Sequence, residues 1–273
     1  SGQGSLVRLD GGFDSFEGNT TVFVNVDGYS GNKIGGSRAA HWMLLETAFS
    51  SLDTKKGSGL WLTHNEHPLI NQTGRATIKN TRENGIFVFR ANRASDILQA
   101  LAFSQKHQLK AIISGGQEAW VVREALAASE TPVVINALDN LPGSFDGLGA
   151  RLDNATLLHA AGVALLFTSG ETHNARKLRQ VAGNAVANGL PYEVAMAAMT
   201  SLPAEIFGGK SRMIAPGLRA DLVIWSGDPL DVNSAADQVI IDGKLDPMTS
   251  RQTELLKRYL PTEAGLGRAY INP

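Results

Sequence analysis

The sequence contains no cysteine, which excludes disulfide bonds, thiolate metal ligands and thiol nucleophiles. It has no apolar run approaching the roughly 20 residues of a membrane-spanning helix. Neither sign of charge is in excess, because 25 Lys and Arg residues balance 26 Asp and Glu residues to a formal net charge of −1. Nucleic acids and anionic membranes select concentrated basic surfaces. The composition therefore gives no electrostatic argument for either kind of partner.

What the sequence does contain is typical of a globular α/β protein. Its 273 residues suit one large domain or two smaller ones, and its hydrophobic content of 43% is ordinary. Short apolar segments rich in β-branched and aromatic residues alternate with segments whose apolar residues recur every three or four positions. The predicted strands are 21–26, 86–89, 110–114, 132–138 and 163–167, and the predicted helices are 37–52, 94–105, 117–129, 154–162 and 174–189. Strands that alternate with helices predict a parallel sheet covered by helices.

Two regions depart from this alternation. Residues 53–85 are polar and carry no assignable pattern, although 4–9 and 59–63 are candidates for further strands. Beyond Lys210, the sequence predicts one strand within 219–230, another within 237–244 and a terminal helix over 250–260. Since two strands alone do not make a stable sheet, they must join strands from elsewhere.

A family resemblance is carried by the carboxyl-terminal third. The segment "TSLPAEIFG", 200–208, followed by "APGLRADLVIWSGDPLD", 215–231, resembles the signature of the amidohydrolase superfamily, in its imidazolonepropionase-like and prolidase-like subgroup. Leu202 stands where the family usually has Asn. Upstream segments resemble successive strand–helix units of the same subgroup, so the likeness extends from Ile86 to Lys244.

The resemblance implies a (β/α)₈ TIM-type barrel with its chemistry at the carboxyl ends of the strands. The five predicted strands correspond to about strands four to eight, so we expect an incomplete α/β barrel that lacks about its first third. Residues 1–209 would form this partial barrel. Residues 210–273 would add carboxyl-terminal strands of a small β-sandwich and a terminal helix.

The resemblance also implies a divalent metal, zinc in particular, that activates water. Family members hold it with a His-x-His pair, a carboxylated Lys or Glu, two further His and an Asp. No His-x-His occurs in this sequence, and the matching strand ends carry Arg90, Ser114 and Glu171 instead. Asn25 and Asp27 lie near the place of the middle-strand ligand. We therefore predict no metal bound to this chain.

Glu171, His173 and Asn174 follow the last predicted strand. By family position Glu171 is a candidate catalytic base, but a carboxylate there would equally complement a helix dipole. His173 is a second candidate catalytic residue, which by family position would line the pocket, or an ordinary loop histidine. Asn174 is a candidate substrate-binding residue and a suitable helix N-cap.

Arg90, at the end of a predicted strand, is a candidate for binding a substrate carboxylate through two parallel hydrogen bonds. The alternative, an ion pair with Asp96 or Glu118, is the commoner role for such an arginine. The pair Gly115–Gly116 indicates a tight turn rather than an anion site.

Other residues favour structural roles. The histidines of "HNEH", 64–67, are interpreted as exposed, and those on helix patterns as surface or packing residues. Trp120 and Trp225 are predicted to lie in the core.

Two functions follow as hypotheses. In the first, the chain is part of a metal-dependent hydrolase of C–N bonds in amides, cyclic amides or peptide-like small molecules, inactive alone and completed by barrel strands from an amino-terminal segment, another chain or an oligomer. In the second, it is a non-catalytic structural or binding module that has lost its metal site. The amino terminus lacks the features of a signal peptide, yet the resemblance favours the periplasm over the cytoplasm.

Overall fold

The computed structural model describes residues 2–8, 12–28, 30, 36–52, 70–209 and 213–259. Six strands form its main sheet and follow one another across it in chain order. The first strand is antiparallel to the second, and the other pairings are parallel. The strands are β1 (Gly2–Val7), β2 (Phe16–Asn25), β3 (Ile86–Ala91), β4 (Ala111–Gly115), β5 (Val133–Ile135) and β6 (Leu165–Phe167).

Helices connect the parallel strands, as the sequence predicts. The α-helices are α1 (Arg38–Ser50), α2 (Gln72–Asn84), α3 (Ala94–His107), α4 (Arg123–Ala128), α5 (Asn154–Ala160), α6 (Leu178–Ala187), α7 (Tyr192–Met199), α8 (Ser201–Phe207) and α9 (Arg251–Tyr259). Short 3-10 helices cover Ala119–Val122, Phe145–Gly147 and Thr172–Lys177. Among the described residues, no helix combines the length and apolarity needed to cross a membrane.

The strands β3 to β6 are mostly buried on both faces, which explains their continuous apolar sequences. Phe87, Phe89 and Ile113 point into a large core shared with the helices. On the other face, Ile86, Val88 and Ile112 pack with Ile206 and Phe207, which lie at the end of α8. The sheet curls, but β1 and β6 do not pair with each other in the described part of the chain. The architecture is thus a partial barrel, consistent with the predicted fold class.

Aromatic side chains hold α1 and α3 against the sheet. The ring of Phe103 lies 5.5 Å from that of Trp42, 4.9 Å from Phe49 and 4.5 Å from His107. Glu46 of α1 accepts hydrogen bonds from Lys106 at 2.7 Å and from His107 at 3.1 Å. His107 is therefore a packing residue, one of the two roles that its helix pattern allowed.

Helix α2 lies in the polar region that carried no assignable pattern. Only Thr81 of this helix is buried, so the apolar spacing that marks other helices is missing. Its boundaries are nevertheless capped: the Asn71 side chain accepts a hydrogen bond from the Gly74 backbone at 2.7 Å, and Gly85 ends the helix. A Cβ at position 85 would overlap the Thr20 carbonyl oxygen, so only glycine fits there. Of the two candidate extra strands, 4–9 contains most of β1, and 59–63 lies outside the described residues.

A second, three-stranded antiparallel sheet follows the barrel. It consists of β7 (Leu222–Trp225), β8 (Ala236–Ile241) and β9 (Lys244–Leu245). Arg179 of α6 attaches this sheet to the barrel: its Nη1 donates to the carbonyls of Pro229, Asp231 and Ser234 at 3.4, 3.1 and 2.7 Å. The Arg179 guanidinium also lies 5.0 Å from the centre of the Trp225 ring. Trp225 is half-buried beneath this cation, so its predicted core placement is wrong.

A long connection between β5 and α5, residues 136–153, crosses the sheet, and we call it the arch. Gln117, which follows β4, donates a side-chain hydrogen bond to the Asp139 carbonyl at 3.0 Å. Further along, Asp146 accepts a hydrogen bond from the backbone N–H of Gly28, just after β2, at 2.7 Å. Asp146 also bonds the guanidinium of Arg38 at the start of α1. The arch therefore runs from β5 over the carboxyl ends of β4 and β3 to β2.

The partners of Asp146 stabilise its negative charge. Burial acts to raise its pKa, but the Gly28 N–H and the Arg38 guanidinium outweigh burial and lower the pKa below its ordinary value. For an acid with a depressed folded-state pKa, the stabilising contribution is complete above the unfolded pKa of about 3.9 and is lost as the pH falls through the folded pKa. Asp96, also beside Arg38, has a pKa that burial raises, so its contribution has the opposite sign.

Replacing Asp146 by Asn tests whether its bonds to Gly28 and Arg38 stabilise the fold. We expect the free energy of unfolding at pH 7 to fall by about 1–3 kcal/mol, because the charge-assisted hydrogen bonds weaken. Urea unfolding followed by circular dichroism measures the change. The deficit relative to the unsubstituted protein is expected to shrink as the pH falls below the unfolded pKa of about 3.9 and through the lower folded pKa of Asp146.

The matched control is Asp153→Asn, which removes an exposed arch carboxylate paired with Arg151. We expect that change to stay within about 0.5 kcal/mol. Equal losses of unfolding free energy in the two variants would contradict this role of Asp146.

Candidate active site

The carboxyl ends of the five parallel strands bring polar residues into one row. The strand register places Asn25 beside Arg90, Arg90 beside Ser114, Ser114 beside Val134, and Val134 beside Leu166. Residues in register share one face of a sheet, and here it is the face opposite the large helix-covered core. We call this set the carboxyl-edge row. It corresponds to the barrel interior, where the family resemblance places the chemistry.

Arg90 is the charged member of the row. Its Nε lies 3.7 Å from Oδ2 of Asp27, and its side chain is 63% exposed. Oδ1 of Asp27 accepts hydrogen bonds from the Ser30 backbone at 2.9 Å and the Ser30 hydroxyl at 2.8 Å. The expected ion pair of Arg90 exists, but with Asp27 rather than Asp96 or Glu118. The other two acids are bound elsewhere, since Asp96 faces Arg38, and Glu118 accepts from the Ala94 N–H at 3.1 Å.

Behind Arg90 lies a cluster of charged groups around Arg38. Arg38 Nε is 3.1 Å from Asp96 Oδ2, although the two atoms lack the alignment of a hydrogen bond. Burial opposes the charge of Arg38, but its bond to Asp146 and the nearby carboxylates raise its pKa. Burial lowers the pKa of His41, and the attraction of Asp27 only partly offsets this. The sequence analysis missed this cluster, because its members are brought together by the arch and not by any short motif.

Glu171, His173 and Asn174 follow β6 at the same edge. Glu171 is exposed and precedes the 3-10 helix Thr172–Lys177, and its side chain makes no capping hydrogen bond. His173 is exposed, and its carbonyl accepts a hydrogen bond from Arg176 at 2.9 Å. Asn174 lies inside this short helix, where its N–H donates to the Glu171 carbonyl at 2.9 Å, so its predicted role as an N-cap is wrong. The structure therefore leaves the side chains of Glu171 and His173 open to solvent.

Two glycines form a tight turn at the end of β4. Gly115 and Gly116 have positive φ angles of 100° and 60°, which confirms the predicted tight turn. Asn154 of α5 holds this turn by donating to the Gly116 carbonyl at 2.9 Å and accepting from the Trp120 N–H at 3.1 Å. Trp120 is half-buried rather than in the core, and its indole N–H donates to the Gly149 carbonyl of the arch at 2.7 Å.

The donor set at the carboxyl edge does not fit a catalytic zinc ion. Such a site uses three or more imidazole, thiolate or carboxylate ligands. The carboxyl-edge row offers an amide, a guanidinium and a hydroxyl followed by two aliphatic side chains, and its cation would repel a metal. In the described part of the chain, no three His, Asp or Glu side chains converge on one point. The histidines of 64–67 lie outside the described residues.

An apolar groove of about 890 Å³ opens at the opposite, amino-terminal edge of the sheet. It lies between α3 and α4 and includes Ile86, Lys110 and Pro132 in its lining. Polar residues of its lining, such as Lys110 and Glu130, lie at the amino-terminal edge of the sheet. In sheets of this kind, ligands bind at the carboxyl ends of the strands, so we place the candidate site there.

Comparison with known proteins gives two informative matches, and no family model matches the chain. The amidohydrolase tasK of Hapsidospora irregularis is 37% identical over 90 residues, which are 32% of this chain and 9% of that protein. The crystal structure of an amidohydrolase from Thermotoga maritima MSB8 superposes with a TM-score of 0.68 at 21% identity, over 84% of this chain and 62% of that one.

A Xaa-Pro dipeptidase with bound methionine is more distant, with a TM-score of 0.46 at 19% identity over 63% of this chain and 47% of that one. The chain spans less than two thirds of the length of the Thermotoga enzyme and a small part of tasK. The shared fold and the local sequence match to an amidohydrolase together confirm the predicted resemblance of this chain to the amidohydrolase superfamily.

Proposed function

We propose that this chain is the carboxyl-terminal part of an amidohydrolase-type enzyme that hydrolyses C–N bonds in amides, cyclic amides or peptide-like small molecules. In this proposal the chain forms the substrate-binding wall of the site and is inactive alone. The observation that carries it is the carboxyl-edge row, where polar side chains from β2, β3 and β4 meet at the end of a partial barrel.

Arg90 supports a binding role best. Its side chain is 63% exposed, and the ion pair with Asp27 is long at 3.7 Å, so the guanidinium is accessible to a ligand. A guanidinium can hold a carboxylate through two parallel hydrogen bonds. We propose that Arg90 orients an anionic substrate group, with Asn174 of the neighbouring segment as a second polar contact.

Glu171 is the proposed base, and His173 the proposed pocket residue beside it. Both lie at the carboxyl edge and are exposed, and within the described part of the chain Glu171 makes no capping hydrogen bond that would compete with a ligand. The donor set of the carboxyl-edge row does not fit a metal, so these roles belong to side chains of the protein alone. The residues of this chain would bind and orient the substrate, and the Glu171 carboxylate would accept a proton from the water that attacks the amide carbon and return it to the amine as the C–N bond breaks.

The second candidate is a non-catalytic binding or structural module with the same fold. It is favoured by Arg90 and Ser114, which occupy the strand ends where the family carries histidine ligands. A segment from outside this chain could not restore ligands at those two positions.

The proposed function also requires further strands that cover the open edge of the sheet. Val7, Phe16 and Phe23 on β1 and β2 are exposed, and β1 pairs only with β2 among the described strands. We propose that barrel strands from an amino-terminal segment of the parent protein, another chain or a second copy cover this edge. The periplasm stays a proposal that rests on the resemblance alone.

The first prediction concerns metal. After dialysis, we expect the purified chain to hold far less than one equivalent of zinc or another transition metal, because the carboxyl-edge donors do not form a ligand set. Elemental analysis measures this directly. One tightly bound equivalent that depends on Glu171 or His173 would contradict the prediction.

A second prediction concerns activity. The chain alone is expected to give no turnover of dipeptides, cyclic amides or imidazolone-type substrates above background, whereas the full-length parent hydrolyses one of these classes. If the isolated chain does show turnover and Glu171→Gln abolishes it, the site is complete without further segments. A parent protein with no amide hydrolysis in this panel would instead favour the non-catalytic module.

The third prediction concerns assembly. Light scattering coupled to size exclusion is expected to show concentration-dependent self-association of the chain, since an uncovered apolar sheet edge promotes pairing. Phe16→Ser is expected to reduce it, and Val232→Ser, which removes an exposed apolar residue far from this edge in the sequence, is not. A monomer at all concentrations, with a barrel closed by this chain alone, would refute the proposal that strands are supplied from elsewhere.

A further inference from the structure

The first strand of the main sheet runs opposite to the direction that a closed barrel requires. A (β/α)₈ barrel consists of eight parallel strands, and β2 to β6 supply five of them. β1 is antiparallel to β2 and pairs with it along the edge at which the barrel would continue. Because Thr21, Val22 and Phe23 pair with β1 on one side and with β3 on the other, β2 has no free edge for a further strand over these residues.

β1 contributes little buried surface to the sheet. Of its six residues, Gly4 and Leu6 are partly buried and the others are exposed. The register shifts between these two residues, and such an irregularity, like a glycine within a strand, weakens pairing. The ring of Phe23 lies where a side chain at position 4 would be, and a Cβ on Gly209 would lie 3.3 Å from Leu6. The strand is thus held mainly by its backbone hydrogen bonds.

β2 is anchored independently of β1. Val24 and Val26 are buried in the large core, and five consecutive residues of β2 pair with β3. Departure of β1 would therefore leave β2 in place. The backbone N–H and C=O groups on its outer side would then be open to a parallel strand.

We infer that β1 is a displaceable strand, which covers the edge of β2 in this chain and leaves when the barrel is completed. The partner that fits is a unit of three parallel strands, because eight strands close the barrel and β2 to β6 are five. A second copy of the chain does not fit, since its parallel strands number five. Once released, β1 would lengthen the connection into β2, and parallel neighbours need a connection of a dozen or more residues.

This inference rests on the proposed function for the existence of the completing strands, but it concerns strand exchange and does not require turnover. The absence of cysteine permits a direct test. Gln3 and Val22 are opposite each other in the β1–β2 register, so their Cβ atoms are about 4.5–5.5 Å apart, close to the range that a disulfide bridges. In the isolated chain, we expect the double variant Gln3→Cys/Val22→Cys to form this disulfide on oxidation.

Hydrogen exchange resolved by NMR measures the release of β1 in the isolated chain. In the reduced double variant, we expect amides of β1 that bond to β2 to exchange at least about tenfold faster than the amides that join β3 and β4. Oxidation is expected to slow the β1 amides by at least about tenfold, because the disulfide prevents local separation of the two strands. Exchange of β1 at the rate of β3 in the reduced form would overturn the inference, since β1 would then leave only on global unfolding.

The full-length parent provides the second test. There we expect the cysteines at positions 3 and 22 to stay largely unlinked under conditions that link them in the isolated chain. The matched control is Ile240→Cys/Leu245→Cys, which joins opposite residues of β8 and β9 in the second sheet and is expected to link equally in both proteins.

Equal linkage of positions 3 and 22 in the two proteins would overturn the inference, because β1 would then stay on β2 in the complete barrel. A gene that encodes no strands before residue 1 would overturn it as well. Loss of the cross-link in a parent that hydrolyses no amide would refute the proposed function and leave the strand exchange standing.

Discussion

The carboxylate of Asp146 joins parts of the molecule that the sequence keeps far apart. Its two partners, Gly28 and Arg38, lie 118 and 108 residues earlier in the chain. Through Gly28 it reaches the end of β2, and through Arg38 the start of α1 and the buried Asp96. The arch, the charged cluster and the position of Arg90 all depend on this group, because Asp27, which pairs with Arg90, is adjacent to Gly28. A partly buried carboxylate with two charge-assisted or backbone bonds is strong enough to hold such a junction.

The strands β3 to β6 were predictable because each is a short, mostly buried apolar run, and such runs stand out in any sequence. β3 to β6 lie within or within two residues of the predicted segments, and β2 begins five residues before its prediction. Helix α2 was not predictable from periodicity, since only Thr81 is buried and the remaining side chains are polar or small. Its caps, Asn71 and Gly85, were the available signal. The arch carries no regular pattern, and its path follows from contacts between residues distant in sequence.

The candidate site was likewise predictable only in part. Strand ends can be located from a sequence, so Arg90, Ser114 and Glu171 were placed correctly at one edge of the sheet. Their partners could not be located, because an ion pair such as Arg90–Asp27 joins two different strands and either carboxylate proposed from the sequence was equally plausible. The family resemblance predicted that the site lies at the carboxyl edge of the sheet, and it predicted which metal ligands to expect there. The register then established that the residues at this edge form one continuous face, whose chemistry suits an anion better than a metal cation.

The guanidinium of Arg179 binds three carbonyl oxygens of one turn and covers the face of Trp225. Separation of the three-stranded sheet from the barrel would leave those carbonyls and the cation without partners at once. Because one side chain makes all of these contacts, they are lost together, which favours joint opening of the sheet and α6. We therefore expect amide protons in β7 and β8 to exchange with solvent in the same opening event as those of α6, although the strands belong to the second sheet and the helix to the barrel.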